Sequence, residues 1–346
     1  MLTLIDLFAG AGGLTHGFRS AGFKPVYAVE VDKQAAATYR ANFGDHIFVG
    51  RIEDVEVVPV RADVIVGGPP CQGFSALGKM SPTERHPELN GLWREYFWIV
   101  EQVGPTAFVI ENVPEILKSK EFEGIKDTAV RLGYELAHGV LNAADFGVPQ
   151  RRRRAFIVGL RNGVPSLPQP TGEAATVRDA IGDLPLTPDG VNWHIGRNPT
   201  PLSLERYKCI PPGGNRFDLI KKRPDLAPKC WLDKPSGSTD VFGRLEWDKP
   251  ALTIRTEFFK PEKGRYLHPS ADRPITHREA ARLQTFPDDF IFIGSKVEVA
   301  RQIGNAVPPR LAAAVARALK VQIDAQSDYR FGEGRLTCGK EAVGSR

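Results

Sequence analysis

The fold class of this chain is decided by Asp6-Leu7-Phe8-Ala9-Gly10-Ala11-Gly12-Gly13, which closes a β-rich run beginning at Leu2. A helical stretch follows, so the segment combines a strand end, a glycine-rich turn and a helix start. A backbone this bare can approach a nucleotide-like ligand where the helix begins. The turn alone is a weak signal, because a plain tight turn has the same composition.

Around this segment, residues 1–160 alternate β-rich runs with helical stretches that end in glycine. The predicted strands are Leu2–Phe8, Val26–Val31, Ile47–Val49, Val64–Val66, Ala107–Ile110, Glu135–Leu141 and Ala155–Leu160. The predicted helices include Lys33–Phe43, closed by Gly44, and Glu121–Leu132, closed by Gly133. This alternation predicts an α/β fold with a doubly wound, mostly parallel sheet.

Beyond about Asn162 the chain becomes rich in proline, and this texture continues to about His268. Regular elements there must be short, which predicts a separate and more irregular domain. Helical patterning returns at His277–Leu283 and again at Arg310–Ile323, where Pro309 suits the first helical position. We expect the last helix to pack back on the first domain.

Composition bounds the function without naming it. The 346 residues suffice for about two domains, and 42% hydrophobic with 25% charged residues is ordinary for a globular protein. A formal charge of +5 and a pI near 9.0 permit a polyanionic partner. No apolar run reaches about 18 residues, and four scattered cysteines give neither a disulfide framework nor zinc-ligand spacing. We therefore expect a cytoplasmic protein with no membrane span and no metal.

Unusual residues follow four predicted strands, at the edge where open parallel sheets bind ligands. After the second strand, Glu30 and Asp32 stand about 20 residues beyond the glycines, where an acid commonly binds ribose hydroxyls; a helix cap suits Asp32 better. After the fourth, Gly67-Gly68-Pro69-Pro70-Cys71 presents a cysteine on a rigid frame, as a nucleophile would need, although most isolated cysteines are inert. After the fifth, Glu111 is either a partly desolvated proton donor or a helix cap.

Together these motifs resemble the DNA (cytosine-5) methyltransferases of bacterial restriction–modification systems. The resemblance covers residues 3–320 and extends through three further segments: Gln150-Arg151-Arg152-Arg153-Arg154, Arg278 to Pro287, and Gln302 to Pro309. It implies a Rossmann-like fold that uses S-adenosyl-L-methionine as methyl donor. It also implies that Cys71 attacks carbon 6 of a flipped-out cytosine, and that Glu111 binds the base at its ring nitrogen and amino group.

The same resemblance assigns the remaining site residues. Because side chains alternate along a strand, Arg152 and Arg154 share one face, and the family places both in the catalytic pocket, with Arg151 and Arg153 on the surface. The implied cofactor residues are Phe8, Gly10, Gly12, Glu30, Leu92 and Asn305. The chain departs from the family at Arg51, where an aspartate usually contacts adenine, and at Leu89, where an arginine is common.

The resemblance also divides the chain. It implies a catalytic and cofactor-binding domain over residues 1–170 plus 300–330, a target-recognition domain over 171–275 and a hinge over 276–299. The polar, glycine-rich composition of residues 331–346 predicts a loose tail. Gln72–Gly91, with three glycines, is the expected mobile loop over DNA. Recognition is expected from basic residues interleaved with aromatic ones: Arg197, Arg206, Lys208, Arg216, Lys221, Lys222, Arg223, Lys229 and Arg244, among Trp193, Tyr207, Trp231 and Phe242.

The expected partner is double-stranded DNA, and we expect a monomer that works beside a paired restriction endonuclease. Three other functions are compatible with parts of this sequence. The tRNA-modifying branch of the family carries a Cys-Phe-Thr signature that is absent here. An inactive nucleic-acid-binding module would be expected to have lost Cys71 or Glu111, and both are present. A nicotinamide-dependent oxidoreductase would explain the glycine turn but not the cysteine, the glutamate and the paired arginines.

Overall fold

The structure, a computed structural model, describes residues 1–70, 91–233 and 238–336. The strands of its first half are β1 (Thr3–Leu7), β2 (Lys24–Glu30), β3 (Ile47–Val49), β4 (Val64–Gly67), β5 (Ala107–Asn112), β6 (Glu135–Asn142), β7 (Gln150–Arg151) and β8 (Arg153–Leu160). All of these strands except β7 form one seven-stranded sheet in the described residues, in the order β3-β2-β1-β4-β5-β8-β6.

This sheet is parallel from β3 to β5, and β8 runs antiparallel to both of its neighbours. The α/β class and the mostly parallel sheet predicted from the sequence are therefore confirmed. The reversal of β8 brings the beginning of that strand beside the end of β5, since Asn112 pairs with Ala155 and Glu111 with Phe156.

The helices in the described residues cover both faces of the sheet and build the second half of the chain. They are α1 (Gly13–Ser20), α2 (Lys33–Phe43), α3 (Leu92–Val103), α4 (Lys120–Arg131), α5 (Val177–Ile181), α6 (Pro201–Lys208), α7 (Arg216–Lys222), α8 (Lys229–Leu232), α9 (His277–Leu283), α10 (Lys296–Asn305) and α11 (Pro309–Leu336). The bounds of α2 and α9 are those predicted. The last helix is longer than predicted, and it includes the first six residues of the tail expected to be loose, because no proline ends it after Ile323.

Alternate residues of the strands pack against different helices. Leu4, Val64 and Val66 share one core with α1 and α11, whereas Ile5 and Ile65 share another with α3 and α4. The approach of α11 to α1 is close, since a Cβ on Gly17 would lie 2.4 Å from the Ala312 Cβ. The final helix thus completes one face of the first domain's sheet.

In the described residues after position 170 the strands are short: β9 (Gly243–Arg244), β10 (Ala251–Leu252) and β11 (Arg265–Leu267). β10 pairs with β7, and β11 pairs with β9. One hydrophobic core joins residues on both sides of position 275, for example Ile254 and Ala280, and a smaller core lies around Tyr207 and Phe242. The domain and hinge boundaries stay predictions.

Within residues 1–70, 91–233 and 238–336, no helix is long and apolar enough to cross a membrane. Within the same ranges, no three His, Cys, Asp or Glu side chains are grouped so that they could hold a metal ion.

A buried carboxyl group, Asp6, ties β1 to α1 beneath the glycine turn. Its Oδ2 accepts hydrogen bonds from the Thr15 hydroxyl at 2.6 Å and from the Thr15 amide at 3.2 Å. Its Oδ1 has no hydrogen-bond partner among the described residues. Burial, reinforced by the nearby Glu30, raises the pKa of Asp6 from 3.8 to about 7.

This raised pKa predicts a pH-dependent effect on stability. The folded chain holds the Asp6 proton up to about pH 7, whereas the unfolded chain releases it near pH 4. The contribution of Asp6 to stability is therefore complete below that lower pH and is lost as the pH rises to about 7. Asp6→Asn cannot titrate, so its free energy of unfolding should improve relative to wild type between about pH 4.5 and 8, by up to roughly 4 kcal/mol. Urea unfolding of both proteins at several pH values measures this, and a difference independent of pH would contradict it.

Candidate active site

A cavity of about 480 Å³ opens at the carboxyl ends of the parallel strands. Its walls come from the turns after β1, β2, β4 and β5, from the start of β8, and from the end of α10. The predicted site residues that line it are Phe8, Gly10, Glu30, Glu111, Arg152, Arg154 and Asn305. The structure thus brings together seven residues that are separated by almost 300 positions in the sequence.

The turn after β1 holds unusual backbone. Phe8 has φ of 58° and Gly10 has φ of 56°, in the left-handed region that a bulky side chain rarely adopts. Such conformations persist where the surrounding structure determines them, commonly at ligand sites. Gly12 also has left-handed backbone, with φ of 90°, and a Cβ there would lie 2.2 Å from the Phe43 ring. It is not among the residues that line the cavity.

Glu30 links the first two turns. Its Oε2 accepts a hydrogen bond from the Gly10 amide at 2.8 Å, and its Oε1 accepts one from the Asp32 amide at 2.7 Å. Burial raises the pKa of Glu30 even though these backbone donors oppose the shift. Asp32 caps α2 through Oδ1, as expected of it, and its Oδ2 forms an ion pair with Arg301 at 2.5 Å. The Glu30 carboxyl is therefore fixed in orientation at the cavity wall.

The turn after β4 is anchored from the neighbouring strand. Asn112 Nδ2 donates to the Pro69 carbonyl at 3.0 Å, and a Cβ on Gly68 would lie 3.2 Å from Glu111 Oε2. Both Gly68 and Pro70 line the cavity. Cys71 follows directly but lies outside the described residues, as do Leu89 and nearly all of the predicted mobile loop.

Glu111 is buried at the cavity and faces two cations. Arg154 Nε lies 3.0 Å from Glu111 Oε1, and no donor in the described part of the chain is aligned to hydrogen-bond that oxygen. Burial raises the pKa of Glu111, and the charges of Arg154 and Arg152 oppose the rise. A carboxyl group with a raised pKa can carry a proton near neutral pH and donate it in a hydrogen bond.

The four consecutive arginines separate as strand alternation predicts. Arg151 and Arg153 are exposed, whereas Arg152 is buried and Arg154 is half-buried. Arg152 and Arg154 both line the cavity. Their contacts differ, because Arg152 donates to the carbonyls of Ile254, Gly304 and Asn305 and Arg154 lies against Glu111.

Some residues that the sequence analysis connects with the cofactor are not among those that line the cavity. Leu92 belongs to the core under α3 and is not among the cavity-lining residues, so its contact with a cofactor stays a prediction. The Arg51 side chain pairs with Glu53, and the Arg51 amide donates a hydrogen bond to the Asp54 carboxylate. Neither Arg51 nor Asp54 is among the residues that line the cavity. Sequence reasoning gave no role to Arg301, and the only signal was its place next to the Gln302 motif.

The basic residues of the recognition region fall into two groups. Arg244 is buried and donates to four backbone carbonyls, so it holds the domain together. Arg206 and Arg223 bond to Leu226 and Asp225. Among the described residues of the recognition region, the exposed lysines with no ion pair are Lys221, Lys222 and Lys229.

The sequence of this chain is similar to those of known proteins. A family model described as C-5 cytosine-specific DNA methylase matches residues 2–321. Type II methyltransferase M1.HphI of Haemophilus parahaemolyticus is 38% identical over 92% of this chain and 86% of its own length. Type II methylase M.HgiDII of Herpetosiphon aurantiacus is 33% identical over 92% and 94%.

Solved structures give the same result. A structure described as a DNA modification methyltransferase encoded within an E. coli prophage superposes with a TM-score of 0.73 at 27% identity, covering 94% of this chain and all of that one. The S. pombe Dnmt2 methyltransferase shares the fold, with a TM-score of 0.62 at 18% identity over 92% and 99%. The chain belongs to the C-5 cytosine-specific DNA methylase family and is an enzyme of that class.

Proposed function

We propose that this chain methylates carbon 5 of a flipped-out cytosine in a short duplex DNA target through a covalent adduct with Cys71. The observation that carries the proposal is the buried Glu111 carboxyl group beside Arg154, at the end of the strand that anchors the Pro69 carbonyl. Cys71 is only two residues beyond that anchor. The acid and the expected nucleophile are thus tied to adjacent strand ends.

The chemistry requires each of these groups. Cytosine is a poor nucleophile at carbon 5, so a thiolate must first add at carbon 6; carbon 5 would then take the methyl group as the bond from that group to the donor's sulfonium sulfur breaks and leaves a neutral thioether. A base removes the carbon 5 proton, and elimination releases Cys71 as thiolate. A protonated Glu111 would donate to the ring nitrogen and stabilise the electron density that develops on the base. Arg154, whose Nε lies 3.0 Å from Glu111 Oε1, would face the carbonyl oxygen of a base bound by Glu111.

The residues at the cavity fit S-adenosyl-L-methionine, which supplies the methyl group when bound. A volume of about 480 Å³ lies within the usual range of small-molecule sites. The Glu30 carboxylate keeps free lone pairs beyond its two backbone donors, so it can accept from ribose hydroxyls. We infer that Phe8 lies against the adenine and that Gly10 and Asn305 border the methionine part.

DNA recognition is proposed for the region after residue 170, as is extrusion of the base from the duplex, which any active site of this kind needs. Lys221 and Lys222 at the end of α7 are exposed and free of ion pairs in the described ranges, so they suit phosphates. We further infer a cytoplasmic monomer with a paired restriction endonuclease. The relatives found do not favour the tRNA-modifying alternative.

Loss of the thiol should abolish methyl transfer without abolishing cofactor binding. We expect Cys71→Ala to give no radiolabelled methyl transfer to duplex DNA while it still binds S-adenosyl-L-methionine. Cys230→Ala is the matched control, because Cys230 is exposed in the recognition region, and it should keep wild-type activity. Transfer by Cys71→Ala at the wild-type rate would refute the proposed nucleophile.

Removal of the acidic proton should lower the rate and change its pH profile. Glu111→Gln should lower kcat by about 100-fold or more, since it removes an acid aimed at developing charge. Because the pKa of Glu111 is raised, the wild-type rate should fall at the alkaline end as Glu111 loses its proton, and the variant should lack that fall. Single-turnover rates between about pH 5.5 and 9.5 measure both effects, with the exposed Glu115→Gln as control. An unchanged alkaline limb in Glu111→Gln would count against this role.

Loss of two recognition-region lysines should weaken binding in a salt-dependent way. Lys221→Ala/Lys222→Ala should raise the Kd for all duplexes similarly and reduce the slope of log Kd against log salt by about two. The matched control is Lys126→Ala/Arg131→Ala on α4, where both cations pair with acids and pack away from the cavity edge. Fluorescence anisotropy at four salt concentrations gives the slopes, and equal slopes in both double variants would contradict this phosphate contact.

A further inference from the structure

Arg152 occupies the point where the chain changes from one sheet to another. It lies between β7, which pairs with β10 of the recognition region, and β8, which belongs to the main sheet. Its side chain is 1% exposed, and its guanidinium points between segments that are distant in the sequence. A buried guanidinium persists only where its donors find acceptors.

The acceptors of Arg152 are backbone carbonyls on two segments. Nη1 donates to the Ile254 carbonyl at 3.0 Å, and Nη2 donates to those of Gly304 at 2.9 Å and Asn305 at 3.4 Å. Gly304 and Asn305 are the last two residues of α10, where carbonyls have no partner within the helix. A cation placed there also interacts favourably with the helix dipole. Arg152 therefore fixes the end of α10.

The two segments that Arg152 joins are already in close contact. A Cβ on Gly304 would lie 2.4 Å from the Thr256 amide nitrogen and 2.5 Å from the Arg255 carbonyl carbon. Only glycine permits this approach, and the Arg152 guanidinium also donates a hydrogen bond to the Gly304 carbonyl. The end of α10 is thus clamped against residues 254–256.

The clamped end of α10 forms part of the cofactor cavity. Gly304 and Asn305 both line it, and Asn305 is exposed there. The geometry of Arg152 differs from that of Arg154, whose Nε lies 3.0 Å from Glu111. Both Nη atoms of Arg152 are used by carbonyls, so within the described residues only its Nε lacks a partner.

We infer that Arg152 is a positioning residue: it holds Asn305 in the cofactor cavity by clamping the end of α10 to residues 254–256 of the recognition region. The inference rests on the proposed function, since cofactor affinity is its readout. Loss of the clamp should affect the binding of S-adenosyl-L-methionine more than the methyl transfer step. Loss of Arg154 should do the opposite.

The test compares Arg152→Lys with Arg154→Lys, a matched change at the adjacent cavity arginine. The two Nη atoms of Arg152 reach two segments at once, whereas lysine has a single nitrogen on a shorter fork-less side chain. Arg152→Lys should therefore raise the Kd for S-adenosyl-L-methionine without DNA by about tenfold, within the range of a cation at a helix C-terminus. Its kcat should fall by less than that factor. Arg154→Lys should lower kcat by about 100-fold with less than a threefold change in that Kd.

A double-variant cycle tests the route through Asn305. If Arg152 acts by holding Asn305, the effects of Arg152→Lys and Asn305→Ala on this Kd should not be additive. Should Arg152→Lys fail to fold by circular dichroism, Gly304→Ala opens the same clamp and should reproduce the loss of affinity. A wild-type protein that does not bind the cofactor would overturn the proposed function instead. An unchanged Kd in Arg152→Lys or in its substitute Gly304→Ala, or fully additive effects in the cycle, would overturn the positioning role.

Discussion

The reversed direction of β8 is the constraint on which the candidate site depends. Parallel strands bring only their carboxyl ends to the ligand edge, whereas an antiparallel neighbour brings its beginning there. Because β8 pairs with β5 in this way, Arg154 lies beside Glu111, the acid near the end of β5. A parallel β8 would place the same arginines at the opposite edge of the sheet, away from the acid and from the Pro69 turn.

That reversal also sets the charges around Glu111, because it brings Arg154 and Arg152 close to the Glu111 carboxyl group. Burial favours its neutral form, and the two arginine charges favour the ionised form, with burial having the larger effect. The pKa of Glu111 is therefore raised, and its neutral form is favoured more than that of an exposed carboxyl group. If Arg152 also aimed its donors at Glu111 instead of at backbone carbonyls, two close cations would favour the ionised form more strongly.

Much of this arrangement can be predicted from the sequence, because hydrophobic periodicity indicates the strands and helices and glycine or proline indicates where they end. Lys33–Phe43 ends at Gly44 as predicted, and the chemistry-bearing residues at the strand ends fall on one cavity. Even the reversal of β8 has a signal, since the residues between β6 and β8 are too few for a parallel crossover. Burial is what the sequence conceals. Arg244 counts as a basic residue in any charge sum, yet it is buried among carbonyls, and Leu92, a predicted cofactor contact, is itself buried under α3.

The glycines of the turn after β1 have different surroundings in the structure. A Cβ on Gly12 would collide with Phe43, and a Cβ on Gly13 would lie 2.4 Å from the Val307 carbonyl oxygen. Of the three glycines in this turn, only Gly10 has no described atom within 4 Å of its would-be Cβ, so a side chain there would enter open space. Gly13 instead receives the segment that follows α10. Residues far apart in the sequence therefore build this cavity together, since Phe8 and Asn305 both line it.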